Sequence, residues 1–346
     1  MLKNGGQSSI KSNNWKLLIG FVITIPFVFF ALFKMDLKKA LSVWHGLEFY
    51  WFFPFLLSMC FAFLFRALCW SKLLEAIQET SLYNLVKAII IGFFGNMVFP
   101  VRLGELIRTF IISKQEKIKF IGVLATVVTT RVMDLINVVI FSLVTIFLTG
   151  DKLFPTSLLA NIKSNGAILA TISLVMLLIF YLCLINKNKL NAFLKKIDSI
   201  IPINLTDSLK PHLDSFMNGL NNLKNPIKVV ISLSFSMLMW WCTLLTFYFA
   251  LLMFSFEATF EKSAVLTVAL AFGKLIPSSP GFIGPLQASI VFALSLYGFD
   301  TNIALGFAIF YHVITFFCSF VLASFSLWSN RMSLFEIKSS LNQATR

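Results

Sequence analysis

Arg102, Glu105 and Arg108 recur at intervals of three in the stretch GNMVFPVRLGELIRTF, Gly95 to Phe110, directly after the apolar run AIIIGFF. A lipid-facing charge near the bilayer centre costs about 2.5–3.5 kcal/mol on insertion scales, so three of them would oppose insertion by roughly 10 kcal/mol. They must lie outside the hydrocarbon, or inside it around something that compensates them. Two chemistries fit. On one helix the spacing makes an Arg–Glu–Arg ladder that neutralises itself and locks the segment in place. Alternatively the arginines line a water-accessible cavity, where a guanidinium fork can hold two oxygens of a phosphate.

Further polar groups interrupt other apolar runs. Arg131 and Asp134, in TTRVMD, share a helix face and can pair. Arg66 and Lys274 each sit near the end of an apolar run and are expected to snorkel to the interface, with a polar interior as the alternative for Arg66. Lys274 also precedes the break PSSPG and could add charge there. The histidines, His45, His212 and His312, are widely separated, and the five cysteines lie in apolar runs without a CxxC pair. No metal site and no cofactor are expected. His312, in IFYHVITFF, reads as a membrane histidine hydrogen-bonded to a neighbouring helix, with a ligand or proton-relay role as the alternative.

The elements that must carry these groups are set by composition. Hydrophobic residues make up 58% of the chain and charged residues 13%, and Phe occurs 40 times. That much apolar surface excludes a soluble domain of this size. The expected fold class is all-α: one polytopic membrane domain over residues 1–346, with about six full spans and two re-entrant helical hairpins. Full spans are expected at Trp15–Phe33 (uncleaved), Phe49–Trp70, Phe120–Leu148, Ile168–Leu184, Val229–Phe254 and Ile303–Trp328. The run Leu85–Phe99 is shorter, stops at Pro100, and is followed by the charged turn and LIRTFII, so it reads as the first hairpin. SAVLTVALAFGKLIP, SSPG and FIGPLQASIVFALSLYG form the second, with the SSPG turn at membrane depth.

The formal net charge of +14 sits mainly between apolar runs and reads as orientation by the positive-inside rule, not nucleic-acid binding. Residues 187–226 carry an excess of lysine and mark a cytoplasmic segment. Within it Leu209, Leu213, Phe216, Met217, Leu220 and Leu223 form one helical stripe, suited to a membrane surface or to packing on the protein. Both termini then fall in the cytoplasm of a cell-membrane protein, and the two hairpins enter from opposite faces, the layout of many transporters. The bases of KMDLKK, after the first span, are the exception to this orientation.

After each break a helix restarts, the first following Pro100-Val101 and the second following Gly284-Pro285. A restarted helix aims unsatisfied N–H groups and a positive dipole end into the membrane interior, which suits an anion such as phosphate.

GNMVFPVRLGELIRTF, TTRVMDL and PSSPGFIGPLQASIVFAL together resemble the signatures of the lysylphosphatidylglycerol synthase transmembrane family. Asn96, Pro100, Arg102, Gly104, Glu105, Arg108, Arg131, Asp134, Pro280, Gly281 and Gly284 match its pattern. The resemblance implies a lipid-translocating domain whose site draws on these residues, with Ser279 of the same turn. One position departs: Gln287 stands where the family usually has a glutamate. A cationic headgroup or a proton would lose its partner there, so a plain anionic phospholipid or a polyprenyl-phosphate lipid is the expected substrate. No aminoacyl-transferase domain follows the last span, and no Walker motif occurs, so neither lysyl-lipid synthesis nor ATP use is expected. The expectation is a flippase without chemistry of its own, acting alone, as a homo-oligomer or beside a lipid-modifying enzyme. A membrane-embedded transferase of lipid-linked sugar, or an accessory to one, is the alternative.

Overall fold

A computed structural model of the chain describes residues 37–99, 102–153, 215–275 and 280–330. Among these residues the backbone is helix and turn, without strands. The elements are α1 (Leu37–Ser42), α2 (Phe52–Leu74), α3 (Leu82–Val98), α4 (Gly104–Gln115), α5 (Phe120–Leu153), α6 (Pro226–Met253), α7 (Phe260–Leu275), α8 (Pro285–Ser295) and α9 (Thr301–Asn330). Four helical stretches among the described residues are long and apolar enough to cross a membrane: Phe49–Leu74, Phe120–Thr149, Pro226–Met253 and Thr301–Ser329. They match four of the expected spans. The expected spans at 15–33 and 168–184 lie outside the described residues, as do Pro100, Val101, Ser279 and most of the segment 187–226. The protein is an all-α, multi-pass membrane protein.

Between the long helices stand two pairs of short ones. Helices α3 and α4 have 17 and 12 residues, and α7 and α8 have 16 and 11. At 1.5 Å per residue, a helix of 11 or 12 residues reaches about 17 Å, roughly half of a hydrocarbon core about 30 Å thick.

The chain forms two compact units. The first contains residues 1–57, 90–105 and 244–334. Its core is strongly aromatic: Phe55, Phe247, Phe254, Phe307 and Tyr311 are buried together. Phe247 stacks on Tyr311 with centroids 4.3 Å apart, and Phe254 meets Phe307 edge-on at 5.1 Å. Part of the high phenylalanine content therefore fills this core, where offset and edge-on ring pairs add to area burial. One base of KMDLKK, the stretch that breaks the orientation pattern, has an acid partner here. Lys39 Nζ lies 3.2 Å from Asp300, whose Oδ1 also accepts from the Asn302 backbone N–H at 2.9 Å and so caps α9.

The second unit contains residues 58–89, 106–243 and 335–346. In it Met217, Leu220 and Leu223 pack with Cys69, Leu73, Ala125 and Met133. The described end of the amphipathic stripe thus packs on the protein. Asn222 holds it there, donating to the Lys72 carbonyl at 2.7 Å.

Candidate functional site

In the first unit, the N-x-x-x-P-x-R-x-G-E motif is a tie between two helices. The Gly104 N–H, at the start of α4, donates to Asn96 Oδ1 of α3 at 2.8 Å. The same asparagine donates through Nδ2 to Glu105 Oε1 at 3.4 Å. Glycine is required at 104 because a Cβ there would collide with the Gly92 carbonyl and lie 2.6 Å from Asn96 Oδ1. The first helix therefore restarts at Gly104, two residues beyond the arginine. This corrects the expected ladder: Glu105 and Arg108 are on α4, but Arg102 precedes it in a left-handed conformation, φ +53°. Its side chain is half-buried and passes over the Phe282 ring, with the guanidinium carbon 5.4 Å from the centroid. Arg102 Nη2 is buried and has no hydrogen-bond partner among the described residues.

Phe282 belongs to the turn between α7 and α8. Positive φ values cluster there, at Gly281 (+74°), Phe282 (+59°) and Gly284 (+96°). Gly281 is wedged: a Cβ on it would come 3.3 Å from the Met97 carbonyl oxygen and 3.6 Å from His312 Nε2. Helix α8 then starts at Pro285, the restart expected from the sequence, with proline at a position where its missing N–H costs nothing. Gln287 Oε1 accepts from the Gly284 N–H at 2.8 Å, and Gln287 Nε2 lies 2.7 Å from His312 Nδ1. Lys274 is half-buried, with Nζ 5.4 Å from the Phe93 ring centroid.

In the second unit the charges are differently arranged. Asp134 is buried at 7% exposure. Its Oδ2 accepts from Arg66 Nη1 at 2.8 Å and Arg131 Nη1 at 2.9 Å. Its Oδ1 accepts from Arg66 Nη2 at 3.3 Å and Ser236 Oγ at 3.2 Å. The Arg131–Asp134 pair was legible as an i,i+3 spacing. Arg66 is a correction: it does not snorkel but turns inward onto an acid 68 positions away in the chain. Arg108, at 3% exposure, donates through Nη2 to Thr130 Oγ1 at 3.1 Å and lies 5.0 Å from the Trp70 ring centroid. Trp70 Nε1 is itself bonded to Thr126 Oγ1 at 2.9 Å.

The expected site residues thus divide. Asn96, Arg102, Glu105, Lys274, Gly281, Gly284 and Gln287 belong to the first unit, and Arg108, Arg131 and Asp134 to the second. Ser279 lies outside the described residues. Sequence reasoning missed Arg66 and Ser236 as partners of Asp134, and Phe282 as the ring under Arg102. His312 was expected to bond a neighbouring helix, and it does, through Gln287 of α8.

The chain as a whole matches a known family. The model of the lysylphosphatidylglycerol synthase transmembrane region matches residues 17–323. The chain belongs to this family. It is similar to a UPF0104 membrane protein of Methanocaldococcus jannaschii, 26% identical over 225 residues that cover 65% of this chain and 88% of the relative. It is also similar to a UPF0104 membrane protein of Pyrococcus horikoshii, 21% identical over 332 residues, 90% of this chain and 97% of the relative. No solved structure matches it. Membership in this family joins the chain to membrane lipid biology. The names of the two relatives state a membrane location and no activity.

Proposed function

We propose that the protein moves an anionic lipid, a phospholipid or a polyprenyl-phosphate-linked lipid, between the leaflets of the cell membrane without chemical change. Its termini lie in the cytoplasm, and the α3–α4 and α7–α8 pairs act as oppositely directed re-entrant hairpins. The observation that carries this reading is Arg102. A buried guanidinium N–H without an acceptor is costly, as is a non-glycine residue in left-handed backbone, about 1–2 kcal/mol for the latter. An acceptor brought by a ligand relieves the first cost and gives the second a purpose. Because the donor is a guanidinium, the favoured ligand group is an anion with paired oxygens. The adjoining Phe282 ring and the nearby start of α8 suit the same ligand. Family membership supports a lipid as its bearer.

Purified protein in liposomes with fluorescent phosphatidylglycerol tests this directly. Arg102→Ala is expected to stop lipid movement while the protein inserts and folds. Arg102→Lys is expected to recover only part of it, since an ammonium cannot copy the fork. Unimpaired movement in Arg102→Ala would remove Arg102 from the site. Mass analysis of the recovered lipid separates transport from the transferase alternative, which requires a changed product.

A further inference from the structure

His312 is 9% exposed in the middle of α9, and its tautomer follows from the hydrogen bonds around it. The Gly284 backbone N–H can only donate, so the Gln287 atom facing it at 2.8 Å must be the amide oxygen. The other end of that amide is then the NH2 group, which can only donate, and it lies 2.7 Å from His312 Nδ1. Nδ1 is therefore an acceptor and carries no proton. A neutral imidazole in this state bears its hydrogen on Nε2. Among the described residues no group accepts from that Nε2–H. It lies beside Gly281, and the neighbouring Phe282 ring meets Arg102, whose Nη2 has no acceptor among the described residues. Two donors without acceptors thus lie against consecutive residues of one turn.

We propose that the Nε2–H of His312 is a second headgroup donor, bonding a phosphate oxygen that Arg102 also holds, and that Gln287 is a positioning residue that fixes the tautomer. The inference rests on the anionic-lipid reading above and goes further in naming the group that reads the phosphate. It also gives Gln287 a role. A glutamate there would accept from both the Gly284 N–H and Nδ1–H, so that a neutral imidazole would carry its proton on Nδ1 and offer phosphate only an acceptor at Nε2.

Two isosteric variants separate this role from simple bracing. Asparagine at 312 places an amide where Nδ1 was and keeps the bond to Gln287, but has nothing at Nε2. Glutamine places an amide N–H near Nε2 and gives up the bond to Gln287. In the liposome assay, His312→Asn is expected to lose lipid movement about tenfold or more, the scale for a hydrogen bond to a charged group, and His312→Gln distinctly less. A bracing role gives the reverse order and overturns the proposal. If the unaltered protein moves no lipid, the transport reading itself has failed; if Arg102→Ala is active, Arg102 leaves the site and this inference falls with it. If Arg102→Ala is inactive but His312→Asn is active, only this inference has failed.

Nitrogen-15 NMR of histidine-labelled protein, with His312 assigned by its loss in His312→Gln, adds a readout that bracing would not move. In nanodiscs of a phosphate-free glycolipid, His312 is expected as the Nε2–H tautomer, switching in Gln287→Glu. The Nε2 resonance should shift on adding phosphatidylglycerol. A shift with inorganic phosphate as well supports recognition of the phosphate oxygen itself. A shift with inorganic phosphate alone overturns the lipid headgroup, and no shift with either overturns the site.

Discussion

Asp134 and Arg102 are both ionisable groups inside apolar helical units, and they are used in opposite ways. A carboxylate offers about four acceptor directions, and Asp134 has them occupied by two bonds from Arg66, one from Arg131 and one from Ser236. No acceptor direction of Asp134 is left for a substrate, although the Arg131 side chain is 42% exposed. Arg102 keeps a buried donor without an acceptor, is held in left-handed backbone, and abuts a turn with three further positive φ values. On the proposed reading the Asp134 cluster is a brace, and the turn beside Arg102 is where the ligand binds. The contrast teaches that charge count alone does not locate a site in a membrane protein; the satisfaction of each donor and acceptor does.

The comparison can be broken first at the brace. Asp134→Asn should destabilise the protein by about 3–5 kcal/mol, because it leaves Arg66 and Arg131 without their shared acid. Thermal unfolding in detergent measures this. Replacing all three, Arg66→Met, Arg131→Met and Asp134→Leu, should recover most of the loss. A mild Asp134→Asn would mean that the cluster does not brace the helices.

The next effect lies at the glycines of the first unit. Gly104→Ala forces a Cβ against the Gly92 backbone and should cost about 1–3 kcal/mol, and Gly281→Ala about 1–2 kcal/mol through its positive φ. Asn96→Ala, which frees the Gly104 N–H, should cost about 1 kcal/mol. If Asn96→Ala also slows lipid movement at full folding, the tie sets the position of the arginine as well as the stability of the turn.

The smallest effect is expected at Asp300. The hydrogen bond from Lys39 holds its carboxyl below the ordinary value of 3.8. Its contribution is therefore present above that value and is lost as pH falls through the lower folded one. Lys39→Ala should shift melting by within about 2 °C at neutral pH, and by less at pH 3.

Much of this architecture was legible, for reasons that differ by element. Long apolar runs marked α2, α5, α6 and α9, because spanning a membrane demands length and composition that nothing else in the chain imitates. Pro285 marked the start of α8, and the i,i+3 spacing marked the Arg131–Asp134 pair, since both are local. The Arg66–Asp134 bond was not legible, because it joins residues 68 apart and an arginine near a helix end looks the same whether it snorkels or turns inward. Nor was the break between Arg102 and α4. The spacing of Arg102, Glu105 and Arg108 is helical, but the helix begins only where the Gly92 backbone admits a residue without a side chain, and that contact is tertiary. His312 stood out as a polar residue in an apolar run; its partner Gln287 lies on another helix, 25 positions away.

The most direct test of the contrast is lipid movement per folded molecule in Arg102→Ala and Asp134→Asn, reconstituted side by side below the melting temperature of the weaker variant. The account expects Arg102→Ala to melt close to the unaltered protein and to move phosphatidylglycerol no faster than empty liposomes. It expects Asp134→Asn to melt far lower, yet to retain movement per folded molecule. A stable, fully active Arg102→Ala beside a folded, inactive Asp134→Asn would contradict it and place the lipid at the Asp134 cluster instead.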